Sequence, residues 1–261
     1  MKNSRIAVIG GGNLGTAIAE GLIKSKFIAP EKITVTRRNV DALTDLKVMG
    51  VQTTDDNVAA IKNSEIIIVA VKPYNVKEIL EGLKGNFDPG RHIIISVVTG
   101  IFVKDLTAII NHGVPIFRAM PNTAIAIQES VTCLCHQGAT KEQVFYVTEL
   151  FDQLGITIPI DEKLMDAATV LGACGIAYAL RFIRASTQGG IEIGFDAKTA
   201  NLIAAQTVKG AAELLLKLNR HPEEEIDKVT TPKGCTIVGL NEMEHQGFSS
   251  SLIKGIGASY E

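Results

Sequence analysis

A short segment near the start of the chain has glycines at a spacing that suits phosphate groups. It reads Gly10-Gly11-Gly12-Asn13-Leu14-Gly15, follows a short apolar run and precedes apolar residues at helical spacing. In this strand–turn–helix context Gly10 allows a tight turn, Gly12 allows a pyrophosphate to approach, and Gly15 allows the helix to pack on the strand. A helix that begins at Asn13 and Leu14 would offer free N–H groups to the phosphates. We therefore predict a dinucleotide site here, the alternative being a glycine-rich turn without a ligand.

The residues after the second apolar run indicate which dinucleotide binds. Sites for NAD usually carry an acidic residue there, which holds the ribose 2′-hydroxyl. This sequence instead reads Thr36-Arg37-Arg38-Asn39. The guanidinium groups of Arg37 and Arg38 suit a 2′-phosphate, which a carboxylate would repel. We therefore expect NADPH (or NADP+), the alternative being that both arginines are ordinary surface charges.

A lysine and a proline follow the fourth predicted strand. This strand ends in Ala70-Val71-Lys72-Pro73. Because the carboxyl ends of parallel strands line the ligand crevice, we expect Val71, Lys72 and Pro73 to contact the cofactor. Asp55 and Asp56 follow the third strand, and they could contact a ribose or cap a helix.

Two further segments combine polar side chains with turn residues. The first is Arg118-Ala119-Met120-Pro121-Asn122-Thr123, which we place directly after the sixth strand. The second is Val229-Thr230-Thr231-Pro232-Lys233-Gly234-Cys235-Thr236-Ile237-Val238-Gly239-Leu240, which leads into a helix. A loop that feeds a helix N-terminus presents backbone N–H groups that suit a carboxylate. A capped helix start explains the second segment equally well.

These segments lie in two parts of the chain that differ in their element pattern. Up to residue 160, short apolar runs alternate with helical segments, which predicts an α/β fold with a Rossmann-like, doubly wound parallel sheet. From residue 161 onward the pattern predicts helices and no convincing strand. We therefore divide the chain into a dinucleotide-binding domain, residues 1–160, and an all-helical domain, residues 161–261.

The helical part carries more apolar surface than it can bury by itself. Residues 200–212, for example, are apolar nearly all round, and such a helix must be buried on every side. We predict that this part packs against a second copy of the chain, the alternative being a compact monomeric bundle.

Composition limits the partners and the compartment. The net charge is −2 and no basic stripe is evident, so we expect no nucleic-acid partner. The apolar runs have strand length, so we expect neither a signal peptide nor a membrane span. The four cysteines form no CxxC pair, which predicts a reduced, cytoplasmic compartment. Although Cys133, Cys135 and His136 lie close together, we expect buried small side chains there and no metal.

Taken together, the motifs resemble those of the pyrroline-5-carboxylate reductase family. They are the glycine-rich segment and residues 70–73, 118–123, 204–211 and 230–236, in the family's order along essentially the whole chain. The resemblance implies that NADPH delivers hydride to the imine carbon of a small cyclic imine carboxylate, 1-pyrroline-5-carboxylate. The ring nitrogen gains a proton, and the product is L-proline.

The same resemblance implies roles for individual residues. Thr236 would donate a hydrogen bond to the ring nitrogen of the substrate. The hydroxyl of Thr231 and the N–H groups of Gly234 and Cys235 would hold the carboxylate. The residues that would border the nicotinamide and the substrate are Met120, Pro121 and Asn122.

Three departures from the family pattern leave alternatives open. Lys233 stands where the family usually has glycine, and Ile176 and Ala124 stand where it usually has proline. Lys233 could add a charge near the carboxylate or could strain a turn that prefers glycine. The substrate could therefore be a related cyclic imine or a hydroxyacid, or the chain could be a non-catalytic regulatory protein that binds NADPH.

Overall fold

The computed structural model describes residues 4–110 and 113–260, and the chain divides into two compact units, Met1–Cys174 and Gly175–Glu261. The first unit contains an eight-stranded sheet. Its strands are β1 (Ile6–Ile9), β2 (Ile33–Thr36), β3 (Gln52–Thr54), β4 (Ile66–Val69), β5 (Ile93–Ser96), β6 (Ile116–Met120), β7 (Ser130–Gln137) and β8 (Gly155–Pro159). Its α-helices are α1 (Asn13–Lys24), α2 (Thr44–Val48), α3 (Asn57–Lys62), α4 (Pro73–Gly82), α5 (Val103–Ile110), α6 (Lys141–Asp152) and α7 (Met165–Ala168).

The sheet is doubly wound, as the sequence predicts. Its strand order is β3-β2-β1-β4-β5-β6-β7-β8, and β1 to β6 run parallel to one another. The chain builds outward from β1 to one side and then, from β4, to the other. In such sheets ligands bind at the carboxyl ends of the strands where the order reverses, here between β1 and β4.

Both faces of the central strands are buried, which explains their nearly continuous apolar sequences. On β1, Ile6 and Val8 belong to one apolar core, and Ala7 and Ile9 belong to another. Because successive side chains of a strand point to opposite faces, these cores lie on the two sides of the sheet. The sheet is thus a rigid support for the loops at its carboxyl edge.

The last two strands differ from an all-parallel sheet. β7 runs antiparallel to β6, and β8 runs parallel to β7. Only the 3-10 turn Thr123–Ile127 and a few flanking residues join β6 to β7. So short a connection suits antiparallel neighbours, because a parallel crossover needs a dozen residues or more.

The segment 118–123 begins inside a strand. Arg118, Ala119 and Met120 belong to β6, whose five residues are all buried, so our placement of the whole segment after the sixth strand was wrong. The reason is the pairing with β7, which places Arg118 opposite Cys135 and extends the strand to Met120.

Residues 161–174 consist of short helical turns of three kinds. A 3-10 turn (Glu162–Leu164), α7 and a π-helix (Thr169–Cys174) follow one another. They group with the first unit, in which Met165 is fully buried. The sequence boundary after residue 160 therefore marks the change from strands to helices, whereas the compact units divide after Cys174.

The second unit contains helices and no strand among its described residues. Its helices are α8 (Gly175–Glu192), α9 (Ala197–Leu218), α10 (Pro222–Lys228), α11 (Cys235–His245) and α12 (Phe248–Ala258). In the single chain α9 buries only Ala200 and Ala204. Exposed apolar side chains of this unit include Leu180, Ile193, Leu202, Leu216, Val238 and Ile253. Apolar surface of this extent is typical of an interaction site.

One helical stretch among the described residues, Glu162–Glu192, has the length and composition to cross a membrane. Its most apolar window has a mean hydropathy of 1.4, and 6% of that window is buried in the single chain. This differs from our expectation that all apolar runs have strand length. Alanines and single large apolar residues raise the hydropathy of the stretch, and the glycines and polar residues between them keep it from forming an obvious run.

Candidate functional site

The glycine-rich segment forms the turn between β1 and α1. Gly10 has a left-handed backbone (φ = +108°), and its N–H donates to the Thr36 carbonyl oxygen at 3.2 Å. A Cβ on Gly10 would come within 2.7 Å of the Ala70 carbonyl oxygen. A Cβ on Gly15 would come within 2.1 Å of the Gly10 carbonyl oxygen. The turn therefore forms only with glycine at these two positions.

Gly12 stands at the open side of this turn. It is the N-cap residue of α1, and a Cβ there would meet none of the described atoms within 4 Å. Asn13 is exposed and Leu14 half-buried, and none of the described side chains caps the helix. The first N–H groups of a helix have no intrahelical acceptor, so this uncapped start fits a phosphate. The turn thus has the shape and the donors that a dinucleotide requires.

Two arginines follow β2 beside the same turn. The Arg37 Nη1 donates to the Gly11 carbonyl oxygen at 3.0 Å, which holds the guanidinium against the glycines. Arg37 and Arg38 are both exposed, so their other N–H groups are accessible to a ligand. This arrangement suits the 2′-phosphate of the predicted cofactor.

The end of β4 packs against the glycine turn. The Val71 Cγ1 lies only 2.8 Å from the position that a Cβ on Gly10 would occupy. Lys72 is the N-cap residue of α4, and Pro73 is its first residue, where a missing N–H costs nothing. The structure therefore brings Gly10 and Val71 together, with the exposed Lys72 and Pro73 next in the chain.

Two polar side chains close to strand ends accept hydrogen bonds from backbone N–H groups. Asp56 accepts the Ala59 N–H at 2.9 Å, so the helix cap is the role that the structure shows for it. Sequence reasoning grouped Thr36 with the two arginines but missed its hydrogen bond to the glycine turn, in which its Oγ1 accepts the Gly10 N–H at 3.3 Å. A hydroxyl at the end of a buried strand, directly before the two arginines, was the available signal.

Met120 and Asn122 lie at the carboxyl end of β6. Met120 is buried, and the Thr99 Oγ1 lies 3.9 Å from its sulfur atom. The Asn122 Oδ1 accepts the Ala124 N–H at 3.0 Å, and its Nδ2 donates to the Gly172 carbonyl oxygen at 3.3 Å. The Asn122 amide therefore holds a turn in shape, with one acceptor and one donor already engaged.

The two cysteines of β7 are core residues. Cys135 packs with Met120 and Met165. Burial raises the pKa of the Cys135 thiol, and the nearby Glu162 carboxylate adds to this effect. Burial also raises the pKa of the Cys133 thiol. Both side chains belong to the same apolar cluster, Cys135 buried and Cys133 partly buried against it, so packing is the role that the structure shows for them.

In the second unit, the threonine-rich loop joins α10 to α11. Lys233 has a left-handed backbone (φ = +60°), the conformation in which glycine is favoured. The Gly234 N–H donates to the Thr231 carbonyl oxygen at 2.9 Å. A Cβ on Gly234 would come within 2.5 Å of the Thr231 Oγ1, so this glycine lets the Thr231 hydroxyl lie over the turn.

The helix α11 begins directly after this turn. Gly234 is its N-cap residue, and none of the described side chains caps it. Cys235, which is exposed, and Thr236, which is half-buried, are its first two residues. Because the Gly234 N–H is engaged with Thr231, the first N–H groups of α11 are the donors that remain for an anion.

Two family models match separate parts of the chain. Residues 162–261 match the family described as pyrroline-5-carboxylate reductase dimerisation. Residues 5–100 match the family described as NADP oxidoreductase, coenzyme F420-dependent.

Curated relatives match along the whole chain. Pyrroline-5-carboxylate reductase 2 of Dictyostelium discoideum is 45% identical over 99% of this chain and 92% of the relative. Pyrroline-5-carboxylate reductase 1 of the same organism is 48% identical over 97% of this chain, which spans about half, 48%, of that longer relative. Pyrroline-5-carboxylate reductase of Methanosarcina acetivorans is 33% identical over 98% of this chain and 95% of the relative.

Solved structures of the same name share the fold. Plasmodium falciparum pyrroline carboxylate reductase with NADP bound superimposes with a TM-score of 0.90 at 26% identity, over 100% of this chain and 97% of that chain. A pyrroline-5-carboxylate reductase from Coxiella burnetii gives 0.91 at 29% identity, over 99% and 96%.

Proposed function

The chain belongs to the pyrroline-5-carboxylate reductase family, and on that premise we propose that it reduces 1-pyrroline-5-carboxylate to L-proline with NADPH. One observation carries the proposal. The chain has both an uncapped glycine turn that fits a dinucleotide and an uncapped helix start, at α11, that fits a small carboxylate. The bound NADPH supplies a hydride to the imine carbon, and the ring nitrogen takes up a proton.

The first unit binds and orients the cofactor. The N–H groups at the start of α1 donate hydrogen bonds to the pyrophosphate beside Gly12, where none of the described side chains is in the way. Arg37 and Arg38 hold the 2′-phosphate, which selects NADPH over NADH. Val71, Lys72 and Pro73 continue the cofactor contacts along the carboxyl edge of the sheet.

The start of α11 holds the substrate. The Thr231 hydroxyl and the Cys235 N–H bind the carboxylate, and Gly234 shapes the turn that places both. The Thr236 hydroxyl donates a hydrogen bond to the ring nitrogen and stabilises charge as the amine forms. Because the Gly234 N–H is engaged with Thr231, the carboxylate contact that the resemblance assigns to this N–H requires the turn to open.

The helical unit is an association surface. Residues 162–261 match a dimerisation family, which supports a homo-oligomer formed through the helices. We propose that a second copy, rather than lipid, covers the apolar stretch Glu162–Glu192. Arg181 and Arg184 are exposed within it, and charges are costly in a bilayer. A cytoplasmic protein without nucleic-acid partners agrees with the net charge of −2 and the free cysteines.

The direct test is NADPH oxidation by the purified protein with 1-pyrroline-5-carboxylate. A panel of other cyclic imines and a β-hydroxyacid tests the alternative substrates in the same assay. We expect the highest kcat/KM with 1-pyrroline-5-carboxylate and NADPH, and L-proline as the product. A folded protein that binds NADPH but turns over no imine would be a regulatory protein instead.

A further inference from the structure

A buried cation on β6 has no role in the sites described above. Arg118 is 1% exposed, although a charged side chain is costly to bury. Its Nη1 donates to the Glu162 Oε1 at 3.0 Å, and its guanidinium carbon lies 5.1 Å from the centre of the Phe102 ring. The Arg118 Nε and Nη2 have no acceptor among the described residues. Glu162 is therefore the partner that determines how this guanidinium is oriented.

The same carboxylate holds a third element. The Glu162 Oε1 also accepts the N–H of Val103, the first residue of α5, at 2.6 Å. An acidic side chain is favourable at a helix N-terminus, where N–H groups lack intrahelical acceptors. One side chain, itself about one third exposed, thus connects β6 to the segment that follows β5.

The two connected segments meet at the carboxyl edge of the sheet. Met120 is two residues after Arg118 on β6, and Thr99 is four residues before Val103. The Thr99 Oγ1 lies 3.9 Å from the Met120 sulfur, so the loop after β5 is in contact with the last residue of β6. β5 and β6 are neighbours, and their carboxyl ends belong to the edge at which α/β enzymes bind ligands.

We propose that Glu162 is a positioning residue. By holding the Arg118 guanidinium and the Val103 N–H on one oxygen, it fixes Met120 and the loop after β5 where they border the nicotinamide and the substrate. This inference rests on the reductase function proposed above. Small displacements of groups that orient reactants can lower a rate strongly without lowering affinity.

Glu162→Ala tests this role through the division between kcat and binding. We expect kcat to fall about tenfold while the Kd for NADPH stays within about twofold, because the glycine turn and the arginines are untouched. Glu162→Gln keeps an oxygen that accepts both hydrogen bonds, so it should restore kcat to within about threefold of the parent. Asp161→Ala is the control, since it breaks only the exposed ion pair with Lys163 and should change neither quantity.

Val103→Pro removes the donor and leaves the carboxylate in place. Proline is well tolerated at the first position of a helix, so this variant carries the test if Glu162→Ala does not fold. We expect it to lower kcat at least threefold with an unchanged Kd for NADPH.

Three results would overturn the inference. One is a Glu162→Ala protein that is less stable to heat but keeps its kcat. If Glu162→Ala does not fold, the same result for Val103→Pro would overturn the inference. Another is a Glu162→Gln protein as impaired as Glu162→Ala. A parent protein that reduces no imine would instead overturn the reductase function, and the inference with it.

Discussion

Thr236 is the side chain on which the proposed proton chemistry depends. It is the second residue of α11, and the turn before it is shaped by Gly234 and Thr231. A threonine hydroxyl can donate one hydrogen bond, and a helix start holds it in a defined direction. Its contribution should therefore be visible in the rate of the chemical step.

We expect Thr236→Ala to lower kcat more than tenfold, since removing one donor that acts in the transition state typically costs about 2–4 kcal/mol. Thr236→Ser keeps the hydroxyl and should retain a kcat within about threefold of the parent. Steady-state kinetics with saturating NADPH measure both. An unchanged kcat in Thr236→Ala would remove this residue from the mechanism.

Lys233 is a residue of the proposed substrate loop whose backbone is one that glycine favours. Its left-handed backbone costs about 1 kcal/mol or more relative to glycine, and its side chain is exposed. The exposed positive charge at this place favours the interpretation that the ammonium group attracts the carboxylate of the substrate.

Lys233→Met removes this charge and keeps the strained backbone. We expect the KM for the imine carboxylate to rise roughly two- to fivefold, which corresponds to the ~0.4–1 kcal/mol of an exposed ion pair. Added salt should reduce the difference between parent and variant. If the KM of Lys233→Met for the imine carboxylate equals that of the parent at low salt, the Lys233 charge has no role in attracting the substrate.

At the scale of elements, different glycines of the turn between β1 and α1 shape the backbone and leave room for the cofactor. Gly15 is packed against the Gly10 carbonyl oxygen, whereas a side chain on Gly12 meets no described atom within 4 Å. The two glycines should therefore respond differently to the same small change.

We expect Gly12→Ala to lower the free energy of unfolding by no more than about 1 kcal/mol, the usual loss when alanine replaces a favoured N-cap residue, because the extended backbone of Gly12 suits any residue. Its Kd for NADPH should rise about tenfold, since the new methyl group occupies the pyrophosphate position. Gly15→Ala should unfold at clearly lower temperature. Thermal unfolding with and without NADPH measures both, and equal thermal losses in the two variants would contradict this division of roles.

Elements with strong local signals could be predicted from the sequence, and those set by pairing could not. The apolar runs that became β1 and β4, and the turn residues between β1 and α1, carry their signals locally. The direction of β7 and the extension of β6 to Met120 depend on strands that meet in space. The ion pair between Arg118 and Glu162 could not be predicted for the same reason, because its two residues are 44 positions apart in the sequence.

At the scale of the whole molecule, the exposed helical surface and the match to a dimerisation family support a homo-oligomer. Leu202 on α9 and Phe145 on α6 are similarly exposed, 68% and 64%, but only Leu202 lies in the segment that matches the dimerisation family. The sequence predicted an association surface from the apolar helix alone. The number of subunits depends on the geometry between copies, which no pattern within one chain specifies.

We expect light scattering to give a mass of at least twice the 27.9 kDa of one chain. Leu202→Glu should shift the protein toward monomer, because it buries an unpaired carboxylate in the interface. Phe145→Glu is the matched control and should leave the mass unchanged. A parent protein that runs as a monomer would contradict the proposed association.

The most direct measurement follows the hydrogen itself. The parent protein is given 1-pyrroline-5-carboxylate and NADPH that carries deuterium at both hydrogens of the reacting nicotinamide carbon. We expect L-proline with one deuterium on the ring carbon that was part of the imine, and none at other positions. Unlabelled proline, or no proline from a protein that binds NADPH, would contradict hydride transfer by this chain.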